Sequence, residues 1–189
     1  SSSFINGGGS YGLFLLLTLT SFQSTVTLSH SIASMVLLGL AIAFWVNEKS
    51  RYSTFAYAML GYMALSVAIS KLFAVPGVFV WLSAQSILVV ATAIWFRSRF
   101  IVVANFTLYL MIVASYVIVA KEETGISLGF GLVALASARI LNWQQDRLEL
   151  KTEIMRNAYL ASALVVFPYA LYHLVPREFV GLAWVGIAL

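Results

Sequence analysis

The sequence predicts an all-α, polytopic integral membrane protein, and three observations predict it. Hydrophobic residues make up 61% of the chain and charged residues only 10%, against about 45–50% and about 25% in an ordinary soluble domain. A soluble core cannot absorb that excess, so the surplus apolar surface must face lipid. The apolar residues also fall in runs of roughly 20, which as helices match the ~30 Å of a bilayer core. Finally, the chain repeats itself. Val75-Pro76-Gly77-Val78-Phe79-Val80-Trp81-Leu82 returns one hundred residues later as Val175-Pro176-Arg177-Glu178-Phe179-Val180-Gly181-Leu182, and Trp45, Trp95 and Trp143 stand 50 and 48 residues apart. The repeating unit is a hydrophobic hairpin of about 50 residues, or two crossings.

Taken in order, the chain opens on Ser1-Ser2-Ser3-Phe4-Ile5-Asn6-Gly7-Gly8-Gly9-Ser10. Residues 1–10 read as a flexible Gly/Ser segment and lack the positive start of a signal peptide. Residues 11–189 read as a single transmembrane helical domain. Its first run, 11–22, is apolar but short. About six full crossings follow, near 25–45, 53–73, 77–96, 100–120, 125–143 and 156–174. Proline disfavours helix at the residue before it and suits a helix's first turn, so the first Val-Pro pair separates the second crossing from the third. Arg97-Ser98-Arg99 makes a tight turn, and Pro168 is expected to kink the sixth crossing. The polar stretch 144–153 holds neither Gly nor Pro and is rich in helix formers. It is expected to carry its flanking helices out of the membrane as a solvated hairpin tip, with a docking surface as the less common alternative. The run 179–189 is an incomplete crossing, so the chain is expected to be a fragment of a longer one.

Charge sets the expected orientation. With alternating crossings, Lys49, Arg51, Arg97, Arg99, Arg139, Arg147, Lys151 and Arg156 share one side, and Lys71, Lys121 and Arg177 the other. Excess Lys and Arg in short loops stay cytoplasmic. The segments 49–51, 97–99 and 147–156 are therefore expected to face the cytoplasm, in a bacterial inner membrane. Trp45, Trp95 and Trp143 then form the inner aromatic belt, while Lys71 and Arg139 snorkel from helix ends. No basic cluster alternates with aromatics, so nucleic acid is not an expected partner. The chain has no cysteine, which removes disulfides, thiolate nucleophiles and iron–sulfur ligation.

Chemistry-bearing patterns are few. The central turns of the crossings carry no Asp, Glu, Lys or Arg, whereas ion and proton pathways normally need such groups at mid-depth. Gln85, with Ser66 at similar depth, and Asn105 are expected to form interhelical hydrogen bonds. His30 and His173 fall on one side of the membrane at similar depth. Imidazoles from two helices can ligate a metal, a haem or a pigment magnesium, but both also sit where polar aromatic side chains lie naturally, and no cofactor is predicted. Small residues mark packing faces. Gly125-Ile126-Ser127-Leu128-Gly129 is extended by Gly131, Ala134 and Ala138, and Gly61, Ala64 and Ala68 form a comparable stripe. Gly61, Gly125, Gly129 and Gly131 are the expected helix-packing positions. No catalytic set, HExxH or phosphate loop is present, so the chain is not expected to be an enzyme.

Trp95-Phe96-Arg97-Ser98-Arg99, and Tyr172-His173-Leu174-Val175-Pro176 followed by Trp184, carry a resemblance over about 33–189. The chain resembles a family of uncharacterised bacterial polytopic membrane proteins built from tandem short-looped hairpins, with Trp and Arg at the inner turns. The resemblance implies architecture and a longer native chain, and no activity for any residue. The function these readings favour is a structural or accessory membrane subunit, in contact with the lipid bilayer and packed against other membrane protein subunits. The alternatives are a transporter or channel for an uncharged or lipidic solute, and a cofactor- or pigment-binding subunit using His30 and His173.

Overall fold

The computed structural model describes residues 2–21, 25–48, 50–119, 124–143 and 152–188. Their regular structure is entirely helical: α1 (Ser2–Ser21), α2 (Val26–Ala43) continued by a π-helical turn at Phe44–Glu48, α3 (Arg51–Leu72), α4 (Gly77–Trp95), α5 (Arg99–Val119), α6 (Thr124–Trp143), α7 (Thr152–Leu174) and α8 (Val180–Ala188). Among the described residues five stretches are long and apolar enough to cross a membrane: Val26–Asn47, Arg51–Leu72, Gly77–Trp95, Arg99–Val119 and Glu153–Leu174. α6 adds a shorter apolar stretch, Ser127–Trp143. The turn at 121–123 and most of the polar stretch, 144–151, lie outside the described residues.

The N-terminal segment corrects the sequence reading. Residues 2–10 are the first half of α1 rather than a flexible linker. Three consecutive glycines are poor helix formers, but α1 packs against α3, and a Cβ on Gly7 would meet Leu60 Cδ1 at 3.5 Å.

Contacts divide the chain into two compact units, Ser1–Ala74 and Val75–Leu189. In the first, α2 and α3 lie against each other. Gly61 sits where a Cβ would come 2.8 Å from Leu38 Cγ and 3.2 Å from the Leu38 backbone nitrogen. Ala58, Ala64 and Ala68 are buried on the same helix. Tyr11 of α1 joins Leu60 and Ala64 in a core backed by Phe14, Leu15, Ala33 and Leu37. Phe44, in the π-helical turn, stacks on Tyr57 with centroids 5.1 Å apart and rings 6° from parallel. The Ser50 hydroxyl oxygen accepts from the Ser53 N–H and caps the start of α3, satisfying one of its orphan donors.

In the second unit α6 packs against both α7 and α4. Its buried residues Ser127, Gly131, Ala134 and Ala138 recur at helical spacing, so one face is narrow enough for close approach. At Gly131 a Cβ would lie 2.8 Å from Phe167 Cζ, whereas at Gly129 it would meet Val80 at an ordinary 3.5 Å. The surroundings of Gly125 lie outside the description. α4 and α5 are joined by a Schellman turn: the Ser98 N–H donates to the Ala93 carbonyl and the Arg97 N–H to the Ile94 carbonyl. That motif needs a left-handed residue at its corner, and Arg97 takes it with φ 47°.

The Val-Pro pairs end α3 and α7 and precede α4 and α8. At both, the phenylalanine amide three residues on (Phe79, Phe179) donates to the proline carbonyl. Val75-Pro76 is cis. Outward-facing positions are apolar on many of the helices, with Met35, Ile118 and Val165 each more than 70% exposed. Such a surface suits lipid.

Replacing Gly131 or Gly61 by leucine is expected to lower the melting temperature in detergent, at a cost of about 1–3 kcal/mol or more from overpacking. Gly129→Leu, with ordinary contacts, should cost less. Equal melting of the Gly131 and Gly129 variants would show that Phe167 yields freely.

Candidate functional site

The polar side chains inside each unit were not legible as sets in the sequence. In the first unit, positions 11 and 18 lie two turns apart on α1 and present Tyr11 and Thr18 to the same side chain of α2. That side chain is His30, which is fully buried. Tyr11 Oη lies 3.0 Å from His30 Nδ1 and Thr18 Oγ1 2.8 Å from Nε2. Thr18 Oγ1 is also 3.0 Å from the carbonyl oxygens of Phe14 and Leu15. One assignment gives every proton an acceptor. Tyr11 O–H donates to Nδ1, Nε2–H donates to Thr18 Oγ1, and the threonine proton returns to its own helix backbone. A neutral imidazole fits that chain. Phe14 and Tyr11 wall the ring at centroid distances of 5.1 and 5.8 Å. Both ring nitrogens are therefore engaged, and a metal at His30 would have to displace a hydroxyl.

His173 stands in a different setting. It is exposed at the end of α7, with Tyr169 tilted against it at 4.7 Å and Tyr172 edge-on at 5.3 Å. It belongs to the second unit and His30 to the first. Among the described residues no three His, Asp or Glu side chains converge as a metal site.

In the second unit the buried face of α5 carries Val102, Asn105, Tyr109 and Tyr116, a spacing that puts all four on one stripe. Its polar tips reach α4, α6 and α7. Asn105 Nδ2 donates to Ser86 Oγ on α4 at 2.7 Å and to Tyr159 Oη on α7 at 2.9 Å, with the Ser86 carbonyl at 3.2 Å. Tyr109 O–H donates to the Phe130 carbonyl of α6 at 3.0 Å. Ser127 O–H donates to Tyr116 Oη at 3.2 Å. The rings interlock as well: Phe106 meets Tyr159 edge-on at 4.8 Å, and Tyr116 lies 5.0 Å from Phe130. Sequence reading picked out Asn105 but missed Tyr159 and Ser86. Depth was the available signal, since positions 105 and 159 both lie about two turns into helices that start on the same expected side. Gln85 is half-buried, and Ser66 returns its proton to the Tyr62 carbonyl.

A third feature is a groove of about 460 Å³ lined by Leu135, Ala138, Arg139 and Asn142 of α6 and by Arg156 and Leu160 of α7. Arg156 Nη1 donates to Asn142 Oδ1 at 2.9 Å, and Nε donates to Asn157 Oδ1 at 3.3 Å.

These features define a class: an all-α protein with apolar helices fit for a membrane and buried polar side chains that fasten helices together. Comparison with protein-family models, with curated proteins and with solved structures finds no match to this chain.

Asn105→Leu and Tyr159→Phe are each expected to cost about 0.6–2 kcal/mol of stability. The double variant should cost less than their sum, because one hydrogen bond is counted in both. Strict additivity in thermal or denaturant unfolding would mean that the pair is not coupled.

Proposed function

We propose that this protein is a structural or accessory subunit of a larger membrane assembly. The observation that carries the reading is the use made of its buried polar side chains. Tyr11, Thr18 and His30 tie α1 to α2, and Asn105 ties α5 to α4 and α7. A solute pathway instead needs such groups turned toward a solvated path. The apolar outer faces, bearing Met35, Ile118 and Val165, are open to lipid and to neighbouring subunits. Association there would rest on packing and lipid entropy rather than on a hydrophobic driving force.

Purified in mild detergent from its native membrane, the 20.7 kDa chain should run in a stable assembly with defined membrane partners. A chain that runs alone, and on reconstitution gives saturable flux of an uncharged solute abolished by Gln85→Leu, would overturn this reading in favour of a transporter.

The hairpin repeat and the bacterial inner membrane belong to the same proposal, with the 49–51, 97–99 and 147–156 segments cytoplasmic. The asymmetry of Lys and Arg supports that orientation. In a cysteine-free chain, Ser98→Cys should resist a membrane-impermeant thiol reagent in intact cells and react after lysis. Labelling in intact cells would invert the topology.

A further inference from the structure

The groove between α6 and α7 has a polar end and an apolar floor. Leu135, Ala138 and Leu160 supply the floor, and Arg139, Asn142 and Arg156 the polar end. On α6, positions 135, 138, 139 and 142 follow one face, and on α7 positions 156 and 160 are one turn apart. The polar members lie toward the C-terminus of α6 and the N-terminus of α7, the same end as Trp143, which is 78% exposed. A tryptophan so placed marks the level of the lipid headgroups.

Among the described lining residues the charge is all positive. Arg156 is held by two amide oxygens, Asn142 Oδ1 and Asn157 Oδ1. Amides orient a guanidinium without neutralising it. Arg139 is exposed. Among the described residues that line the groove there is no carboxylate. Two arginines thus line a groove with Leu135, Ala138 and Leu160, one of them held by amides, and guanidinium matches phosphate oxygens bidentately. A ligand that satisfies both parts has a net-negative phosphate joined to hydrocarbon.

We propose that this groove binds an anionic glycerophospholipid, its phosphate between Arg139 and Arg156 and its acyl chains along Leu135 and Leu160. A zwitterionic lipid brings its own ammonium to the phosphate and gains less from the two arginines. The proposal rests on α6 and α7 lying in a bilayer, and not on the presence of protein partners. Binding by the isolated chain is therefore read separately from assembly.

The test is lipid retention by native mass spectrometry. The full chain would be exchanged into detergent with equimolar phosphatidylglycerol and phosphatidylcholine, and its melting temperature followed as each lipid is added. The wild-type chain should retain phosphatidylglycerol preferentially and be stabilised by it. Arg139→Gln with Arg156→Gln should reduce that preference about tenfold, from the loss of two charges at the headgroup level. Arg139→Lys with Arg156→Lys should keep part of it, which separates binding from folding. Arg97→Gln, at an exposed turn, should leave it unchanged. Equal retention of both lipids would reduce the site to an apolar groove. An equal loss on Arg97→Gln would make the effect diffuse charge, and displacement of the lipid by millimolar inorganic phosphate would make it a soluble-phosphate site. Each of these results overturns the proposal.

Discussion

A polar atom inside a helix bundle that faces lipid has no water to fall back on, and this constraint shapes both units. An unpaired amide or hydroxyl in hydrocarbon costs several kcal/mol. Asn105 meets the requirement by donating to Ser86 and Tyr159, which fixes the register of α5 against α4 and α7 in one step. His30 meets it with a hydroxyl at each ring nitrogen, and so fixes α1 on α2. Hydrophobic matching alone would not set these registers, because a leucine packs nearly as well one turn along. Among the described residues Thr54 Oγ1 and Ser137 Oγ are buried without a hydrogen-bond partner, and nothing in the structure explains them.

Close packing supplies what the hydrophobic effect cannot. Lipid tails are as apolar as leucine, so helices in a bilayer associate through van der Waals contact and interhelical hydrogen bonds. Glycine and alanine make that contact possible by bringing backbones together. Gly61 admits Leu38 and Gly131 admits the ring of Phe167, each filling a space that a single methyl group would close. Hydrogen bonds and small-residue contacts work on the same helices, so register and separation are set together.

α6 shows how one helix serves different neighbours. Its buried face packs through Ser127, Gly131, Ala134 and Ala138, while Arg139 and Trp143, near its C-terminus, are exposed. The polar end of the groove therefore lies near a helix end, where long side chains reach headgroups without leaving the apolar region. Burial on one face and charge at one end are separate demands, and helical periodicity lets 20 residues meet both.

The sequence by itself determined the class and most of the element plan. Apolar runs separated by Lys, Arg and Val-Pro pairs give the approximate limits of the long helices, because bilayer thickness fixes their length, although among the described residues five rather than six are long and apolar enough to span. Composition says which residues are able to pack closely, but not against what. The tertiary structure decided the rest. It made helix of residues 2–10, with Gly7 set against Leu60 and Tyr57 of α3. It gave Arg97 the left-handed corner usually held by glycine, because the Schellman hydrogen bonds between α4 and α5 require it. It chose Tyr11 and Thr18 for His30, and Tyr159 and Ser86 for Asn105. The reason is common to these pairings. Partners separated by 12 to 54 residues are joined by how helices rotate and cross, and the one-dimensional pattern does not encode those angles.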